Sequence, residues 1–256
     1  MKPYYEDEHA TLYAGDCLEV LAALPRRIVD TVLTDPPYSS GGRRESARSV
    51  RKSMTRGTSD DDWIAGDAMS TAGFVWTMRE FAVRTREVMK VGGHLLSFID
   101  WRMYPNLVLA LETADLRQMP TLVWDKVNFG MGSQFRNRHE WIAHFAFGTP
   151  VKPQRRDVAN VLAFPAVRKG DHPTEKPGPL LETLISVVTP VGGVVLDPFA
   201  GSGSTLCAAK TLGRKSIGIE LDERFAEVAA KRLERTPWPG DVALPGSDEL
   251  SFEGIA

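Results

Sequence analysis

Hydrophobic and polar positions along the chain repeat with two different periods. Short apolar runs rich in β-branched residues predict strands at 11–14, 28–34, 94–99, 121–124, 141–147, 194–197 and 216–220. Apolar positions at helical spacing predict helices at 17–24, 71–90, 105–114, 179–188, 204–212 and 223–234. Gly92 and Gly93 are expected to close the helix that begins at Thr71. This alternation is typical of an α/β fold with a doubly wound, mostly parallel sheet and helices on both faces.

Four acidic residues have the same placement, at or directly after the end of an apolar strand: Asp16, Asp35, Asp197 and Glu220. Ligands of open parallel sheets bind outside the carboxyl ends of the strands. Acids also end strands merely for solubility, so one such residue means little. Four of them, all near Gly or Pro, favour a ligand site.

The stretch Asp35-Pro36-Pro37-Tyr38 follows a predicted strand directly. Each proline lacks the N–H that a sheet needs, so the strand must end here and leave backbone carbonyls free. A carboxylate and carbonyls accept hydrogen bonds from an amino group, and the tyrosine ring offers a face for a planar base. The alternative is an ordinary turn, since Pro-Pro is common in turns and Asp often opens them.

A second stretch, 194–205, combines a strand, a loop with Gly201 and Gly203, and the start of a helix. Glycines let the backbone approach a ligand, and the N-terminus of a helix favours a carboxylate. No lysine follows the glycines, which excludes a nucleotide P-loop. A dinucleotide fingerprint also fits poorly.

These two stretches, in this order, resemble the amino-group DNA methyltransferases that use S-adenosylmethionine, in the permuted class whose catalytic motif precedes the cofactor motif. The resemblance covers roughly residues 11–235 and includes His172 to Pro177, ahead of the second stretch. It implies a Rossmann-like, class I methyltransferase fold with a seven-stranded sheet. The strands at 28–34 and 194–197 are then neighbours.

The resemblance also implies roles for single residues. Asp35, Pro36, Pro37 and Tyr38 become catalytic, with Tyr38 stacked on the target base. Cofactor-binding residues are Asp16 at the adenine amino group, Asp197 near the methionine amino group, Glu220 at the ribose hydroxyls, Thr174 and Lys176 at the methionine carboxylate, and the loop residues Phe199, Ala200, Gly201, Gly203, Ser204 and Thr205.

The implied reaction is methylation of the N6 amine of a flipped-out adenine in double-stranded DNA, as in restriction–modification. Cytosine N4 would need the same geometry, but that group more often has Ser before Pro-Pro-Tyr, so Asp35 favours adenine. RNA and protein substrates remain alternatives, although Asn is the commoner residue there at the position of Asp35. A binding protein that has lost catalysis is a further alternative, which the intact Asp35 to Tyr38 argues against.

Composition bounds the organisation of the chain. Its 256 residues suffice for one large catalytic domain, expected over 1–236, with a disordered tail at 237–256. The net charge of −2 does not by itself indicate nucleic acid. Residues 39–62 are expected to form a mobile loop whose basic side chains contact DNA phosphates: Arg43, Arg44, Arg48, Arg51 and Lys52. Residues 148–172 are expected to form a loop-like insertion, a candidate for target recognition.

The cysteines, the histidines and the hydropathy of the chain indicate which metal sites, disulfides and cellular location to expect. The two cysteines, Cys17 and Cys207, imply no disulfide framework and suit a reducing cytoplasm. The five histidines lack the short spacing of metal ligands, so no metal is expected. No signal sequence or long apolar run is found, and a cytosolic protein without membrane contact is expected. The sequence leaves a monomer and a homodimer open.

Overall fold

The computed structural model describes residues 1–39, 69–130, 134–167 and 175–240. Several predictions fall outside these ranges: the basic residues of the 39–62 loop, the stretch from His172 to Thr174, and the tail beyond residue 240. They stay predictions.

Strands and helices alternate as the hydrophobic pattern predicts. The strands are β1 Tyr5–Glu6, β2 Ala10–Ala14, β3 Val29–Thr34, β4 Met89–Ile99, β5 Arg117–Gln118, β6 Leu122–Asp125, β7 His139–Ala146, β8 Val161–Ala163, β9 Val194–Asp197 and β10 Lys215–Glu220. The helices are α1 Cys17–Ala23, α2 Thr71–Val88, α3 Tyr104–Glu112, α4 Gly178–Val188, α5 Ser204–Thr211 and α6 Glu223–Arg235.

All ten described strands join one sheet in the order β1-β2-β10-β9-β3-β4-β7-β6-β8, with β5 paired to β7. The central strands are parallel to one another; in sheet order they are β2, β10, β9, β3 and β4. β7 runs antiparallel to both β4 and β6. The expectation of seven strands is therefore wrong, because the short strands β1, β5 and β8 contain two or three residues each. Runs of that length are too short to show an alternating pattern.

Two layers of helices cover the two faces of the sheet, as predicted. Val32 and Leu95 point to one face and pack in a cluster with residues of α1, α2 and α3. Their neighbours Leu33 and Leu96 point to the other face and pack with residues of α4 and α5. Side chains alternate between the two faces along a strand, and helices cover both faces here. The central strands therefore carry apolar, buried side chains on both faces.

Gly92 and Gly93 do not close α2, which ends at Val88. They lie inside β4, where the pairing with β3 shifts register between Val29 and Thr31. A Cβ atom at Gly93 would lie 2.8 Å from the carbonyl oxygen of Asp30. The two glycines therefore let an irregular stretch of strand pass close to β3.

The segment 148–172 is not wholly a loop. Its residues Val161–Ala163 form β8, which pairs in parallel with β6. In the described ranges, no helix is long and apolar enough to cross a membrane.

The sheet order determines where the site lies. β3 and β9 are paired neighbours, Thr31 opposite Val195, as the resemblance implies. β2, β10, β9 and β3 are parallel, so their carboxyl ends meet at one edge of the sheet.

Candidate active site

A cavity of about 440 Å³ lies at this edge of the sheet. The four strand-end acids line it, and so do residues from both sequence motifs. The predicted site residues around it are Asp16, Asp35, Pro36, Pro37, Tyr38, Lys176, Asp197, Phe199, Ala200, Gly201, Ser204, Thr205 and Glu220. The fold thus brings the two motifs together in one pocket.

Gly203 is a predicted cofactor residue that does not line the cavity. It precedes α5 with φ of 81°, and a Cβ atom there would lie 2.9 Å from Cβ of Ala229 in α6. The glycine is needed for this left-handed turn and for the close packing of α6. Thr174 lies outside the described residues.

Glu220, at the end of β10, has both carboxylate oxygens fixed by backbone amides. Gly201 N–H donates to Oε2 at 2.7 Å, and Asp222 N–H donates to Oε1 at 2.8 Å. Burial raises the pKa of Glu220, and the two amides act against this shift. Because each carboxylate oxygen has two lone pairs, each can accept one more hydrogen bond from the cavity.

Asp197, at the end of β9, is 3% exposed and bonded to two elements. Its Oδ1 accepts hydrogen bonds from Thr34 Oγ1 at 2.7 Å and from the Phe199 N–H at 3.1 Å. Burial raises the pKa of Asp197 to about 6, despite these donors. The carboxyl group therefore links the two motif-bearing strands while it faces the cavity.

Asp16 stands at the exposed rim of the cavity. It caps α1, since its Oδ1 accepts hydrogen bonds from the N–H groups of Leu18 at 2.8 Å and Glu19 at 3.2 Å. Both bonds go to the same oxygen, so the cap fixes the direction of the side chain and leaves Oδ2 for a ligand.

Both carboxylate oxygens of Asp35 are engaged. Tyr38 Oη donates to Oδ1 at 2.6 Å, and Lys176 Nζ donates to Oδ2. The side chain of Asp35 remains 22% exposed because it borders the cavity, whereas that of Lys176 is 8% exposed. The structure pairs Lys176 with Asp35, and its assignment to the cofactor carboxylate stays a prediction.

Glu140, near the start of β7, completes this cluster of charges. Its Oε2 lies 3.5 Å from Lys176 Nζ and 3.2 Å from Tyr38 Oη, whose single proton is shared with the closer Asp35 Oδ1. Its Oε1 accepts a hydrogen bond of 2.5 Å from Lys126 Nζ. Two carboxylates therefore flank one phenol, and each of them is paired with an ammonium group.

The charges in this cluster shift one another's pKa values. Burial and the nearby Glu140 carboxylate raise the pKa of Asp35, although Lys176 acts against them. Burial opposes the charge of Glu140, but Lys176 and Lys126 outweigh it and hold the pKa of Glu140 below its usual value. Burial likewise opposes the charge of Lys176, yet the two carboxylates raise its pKa. Lys176 is therefore a charged ammonium in the wall of the cavity.

Aromatic rings enclose the same ammonium. Lys176 Nζ lies 5.0 Å from the ring centre of Phe98, 5.7 Å from that of Tyr38 and 5.9 Å from that of Trp124. The faces of aromatic rings attract a cation at such distances, so these contacts favour the charged form of Lys176.

Arg232 of α6 holds the Gly-rich loop from behind. Its Nη1 donates to Ser202 Oγ at 2.9 Å and to Ser204 Oγ at 3.2 Å. Its Nη2 forms an ion pair of 2.9 Å with Glu175, which also accepts a hydrogen bond from Ser204 Oγ at 3.0 Å. One guanidinium thus connects the loop to the segment that carries Lys176.

The family model N6_N4_Mtase, described as DNA methylase, matches residues 29–159 and 150–231. The chain belongs to this DNA methylase family. The methylase is also 33% identical over 219 residues to YubD of Escherichia coli (strain K12), which is provisionally named a methylase. That match covers 86% of this chain and 88% of YubD.

Solved structures share the fold of this methylase. The PvuII DNA methyltransferase (cytosine-N4-specific) gives a TM-score of 0.72 at 17% identity, covering 90% of this chain and 88% of that one. The M1.HpyAVI–SAM complex gives a TM-score of 0.64 at 23% identity, covering 88% and 99% of the two chains. At these identities the likeness concerns the fold alone.

Sequence reasoning missed four charged residues of the methylase site: Lys126, Glu140, Glu175 and Arg232. Glu140 carried a weaker signal, because it is an acid near the start of a largely apolar strand, whereas the four acids singled out above stand at strand ends. Arg232 carried none, since a basic residue in the last turn of a helix is ordinary.

Proposed function

We propose that this methylase transfers a methyl group from S-adenosylmethionine to the exocyclic N6 amine of an adenine in double-stranded DNA. The observation that supports this most directly is the position of Asp35. Its carboxylate and the Gly201 loop face the same cavity, so an amine bound at Asp35 lies near a cofactor bound at the loop.

The cavity suits the cofactor. Glu220 presents two oxygens, each with one backbone donor, and so can accept one hydroxyl from a vicinal diol at each oxygen. Asp16 has a free oxygen at the rim for an amino group of the purine, and Asp197 lies deeper, where the methionine ammonium is assigned. The N–H groups at the start of α5 and the left-handed Gly201, with φ of 52°, suit the methionine carboxylate.

When bound, S-adenosylmethionine supplies a methyl group already activated by its sulfonium. The target amine is a poor nucleophile, because its lone pair is delocalised into the ring of the base. Asp35 and the Pro36 carbonyl accept the two N–H bonds and so draw the lone pair out of conjugation. Asp35 then receives the proton that the amine releases. Positioning supplies most of the acceleration, and the base must first leave the duplex stack.

The order of the motifs supports an assignment of the methylase to the permuted class. Asp35 precedes the Gly-rich loop in the chain, although β3 and β9 lie side by side. Asp at this position favours adenine, as argued from the family pattern. Methylation of cytosine N4 is the second candidate, because the PvuII enzyme shares the fold and acts on that base.

The loop between β6 and β7 suits a DNA partner. It begins and ends beside Lys126 and Glu140, which line the cavity. It carries Phe129 and Phe135, which are 61% and 94% exposed. The guanidinium of Arg136 lies 5.5 Å from the Phe129 ring centre. Arginine suits phosphates, and exposed aromatic rings suit unstacked bases.

The deciding experiment is transfer of labelled methyl from S-adenosylmethionine to duplex DNA, followed by digestion to nucleosides and identification of the modified one. N6-methyladenine supports the proposal, and N4-methylcytosine replaces it with the second candidate. The Asp35→Ala variant is the background control, and single-stranded DNA and RNA test the substrate class. Absence of label in every nucleic acid, with the cofactor bound, would overturn the proposal and leave a protein substrate or a binding protein.

A further inference from the structure

Lys176 lies between two carboxylates that have different places in the site. It is bonded to Asp35 Oδ2 and lies 3.5 Å from Glu140 Oε2. Both carboxylates line the cavity, but the Asp35 side chain is 22% exposed, while that of Glu140 is 15% exposed and tied to Lys126. The ammonium therefore has a second anionic partner within a short movement.

The ion pair of Asp35 with Lys176 opposes its proposed role. Both of its oxygens already accept hydrogen bonds, one from Tyr38 and one from the ammonium. A carboxylate in an ion pair is a weaker acceptor for an amine N–H. Its charge is also screened at the moment when positive charge develops on the amine nitrogen.

We propose that Lys176 exchanges its ion pair from Asp35 to Glu140 when the target amine enters, which makes Glu140 a positioning residue for methyl transfer. The inference rests on the proposed function and explains how the carboxylate of Asp35 becomes free to accept the amine. Lys176 keeps Asp35 ionised while the cavity lacks a base, and Glu140 takes the ammonium when Asp35 is needed.

Glu140 makes this exchange feasible. A buried ammonium that left Asp35 without another anion would be strongly disfavoured. Glu140 offers the ammonium a second anion, so the charge stays paired. The ammonium also stays among the aromatic side chains of Phe98, Tyr38 and Trp124. The Tyr38 hydroxyl can follow the same route, because it already lies 3.2 Å from Glu140 Oε2. Lys126 fixes the other oxygen of Glu140 and so keeps the receiving carboxylate in place.

The test is a double-variant cycle read by single-turnover methylation, with the enzyme in excess over duplex DNA. Glu140→Gln should slow the reaction at least tenfold, because Lys176 then stays on Asp35. Adding Lys176→Met to that variant should raise the rate again, because Asp35 is released. Side chains with a merely structural role would give a double variant no faster than Glu140→Gln, and that result would overturn the exchange.

The pH dependence gives a second readout. Loss of the Lys176 ammonium makes ionisation of Asp35 harder, so the acidic limb of the rate profile should move to higher pH in Lys176→Met. In Glu140→Gln it should move to lower pH, because a nearby anion is lost. Rates in the cycle are therefore compared at the plateau of each profile. Acidic limbs that coincide in all variants would contradict the proposal.

Two further variants show whether a slower rate reflects the exchange or merely a loss of folded protein. Glu140→Asp keeps the charge and should retain a rate within a few fold of wild type. Lys210→Met removes another lysine whose side chain is 8% exposed and paired with a carboxylate, Asp7, away from the cavity. It should lower stability and leave the rate per folded molecule unchanged. Failure of the wild type to methylate DNA would overturn the proposed function and the exchange together, whereas a normal rate in Glu140→Gln would overturn the exchange alone.

Discussion

Thr34 donates a hydrogen bond of 2.7 Å to Asp197 across the boundary between β3 and β9. Thr34 directly precedes Asp35, and Asp197 lies just ahead of the Gly-rich loop. The bond is buried, and it adds a side-chain link to the backbone pairing of the two strands. The Asp197 carboxyl group thus joins the two strands and also lines the cavity.

The first prediction concerns Asp197 and pH. Burial raises its pKa from 3.8 to about 6 in the folded protein, so the folded state holds the proton more tightly than the unfolded chain. Its contribution to stability is therefore present below the lower value and is lost as the pH rises through the higher one. The loss is on the order of 3 kcal/mol, from 1.36 kcal/mol per pKa unit.

Urea unfolding of the cofactor-free protein at several pH values between 4 and 7 measures this loss. Asp197→Asn cannot titrate, so its stability should fall less than that of wild type over the same interval. Parallel curves for the two proteins would show that Asp197 keeps an ordinary pKa.

The second prediction concerns Glu220 and the cofactor. Glu220→Ala should weaken binding of S-adenosylmethionine by about 1–3 kcal/mol, the range for hydroxyl donors left without acceptors. Calorimetry measures the change directly. Glu227→Ala, which removes an exposed carboxylate of α6 that pairs with Lys231, is the matched control. Wild-type affinity in the Glu220 variant would remove this residue from the site.

The third prediction concerns Asp35. Asp35→Ala should lower the single-turnover rate a hundredfold or more, on the order seen when one preorganised electrostatic partner is removed, while cofactor binding changes little. The rival view is that Asp35 merely supports the turn at Pro36. Thermal stability would then fall and the rate per folded molecule would stay nearly intact, so the two measurements together separate the views.

The fourth prediction concerns Arg232, which holds the Gly-rich loop and Glu175. Arg232→Ala should weaken cofactor binding by on the order of tenfold, because two serine hydroxyls and a carboxylate lose their shared partner. Arg235→Ala removes an exposed arginine from the same last turn of α6 and should leave binding unchanged. Equal affinities in both variants would mean that the loop needs no such support.

The fifth prediction concerns Phe135 in the loop between β6 and β7. Phe135→Ala should weaken DNA binding by about 1–3 kcal/mol, the range for one base stacked on an aromatic ring. Cofactor affinity should not change. Val191→Ala removes an exposed apolar side chain that precedes β9, at the opposite edge of the sheet. Fluorescence anisotropy with labelled duplex compares the DNA affinities of the three proteins. Equal affinities would show that Phe135 does not contribute to DNA binding.

Much of the site was predictable from local pattern. Asp35, Asp197 and Glu220 each stand at the end of a strand that the hydrophobic alternation identifies, and parallel strands bring such ends to one edge. The pairing of β3 with β9 followed from the resemblance and is confirmed. The roles given to these acids remain predictions.

The ion pairs around Lys176 were not predictable in this way. They depend on the register of β7 against β6, which places Glu140 opposite Trp124, and on the path of the chain before α4. Neither is encoded in the spacing of residues. Gly92 and Gly93 misled for a related reason, because two glycines after a helical pattern suit a helix end and a bulged strand equally well.

The pairing of β3 with β9 also bears on how the protein is made. Thr31 and Val195 are far apart in the chain, so their contact closes a long loop and has a high contact order. During synthesis the segment with Asp35 leaves the ribosome long before β9 and β10 exist, and it has no partner strand on that side. The nascent chain therefore has no cofactor pocket until β9 and β10 have been made, and methylating activity cannot arise before then.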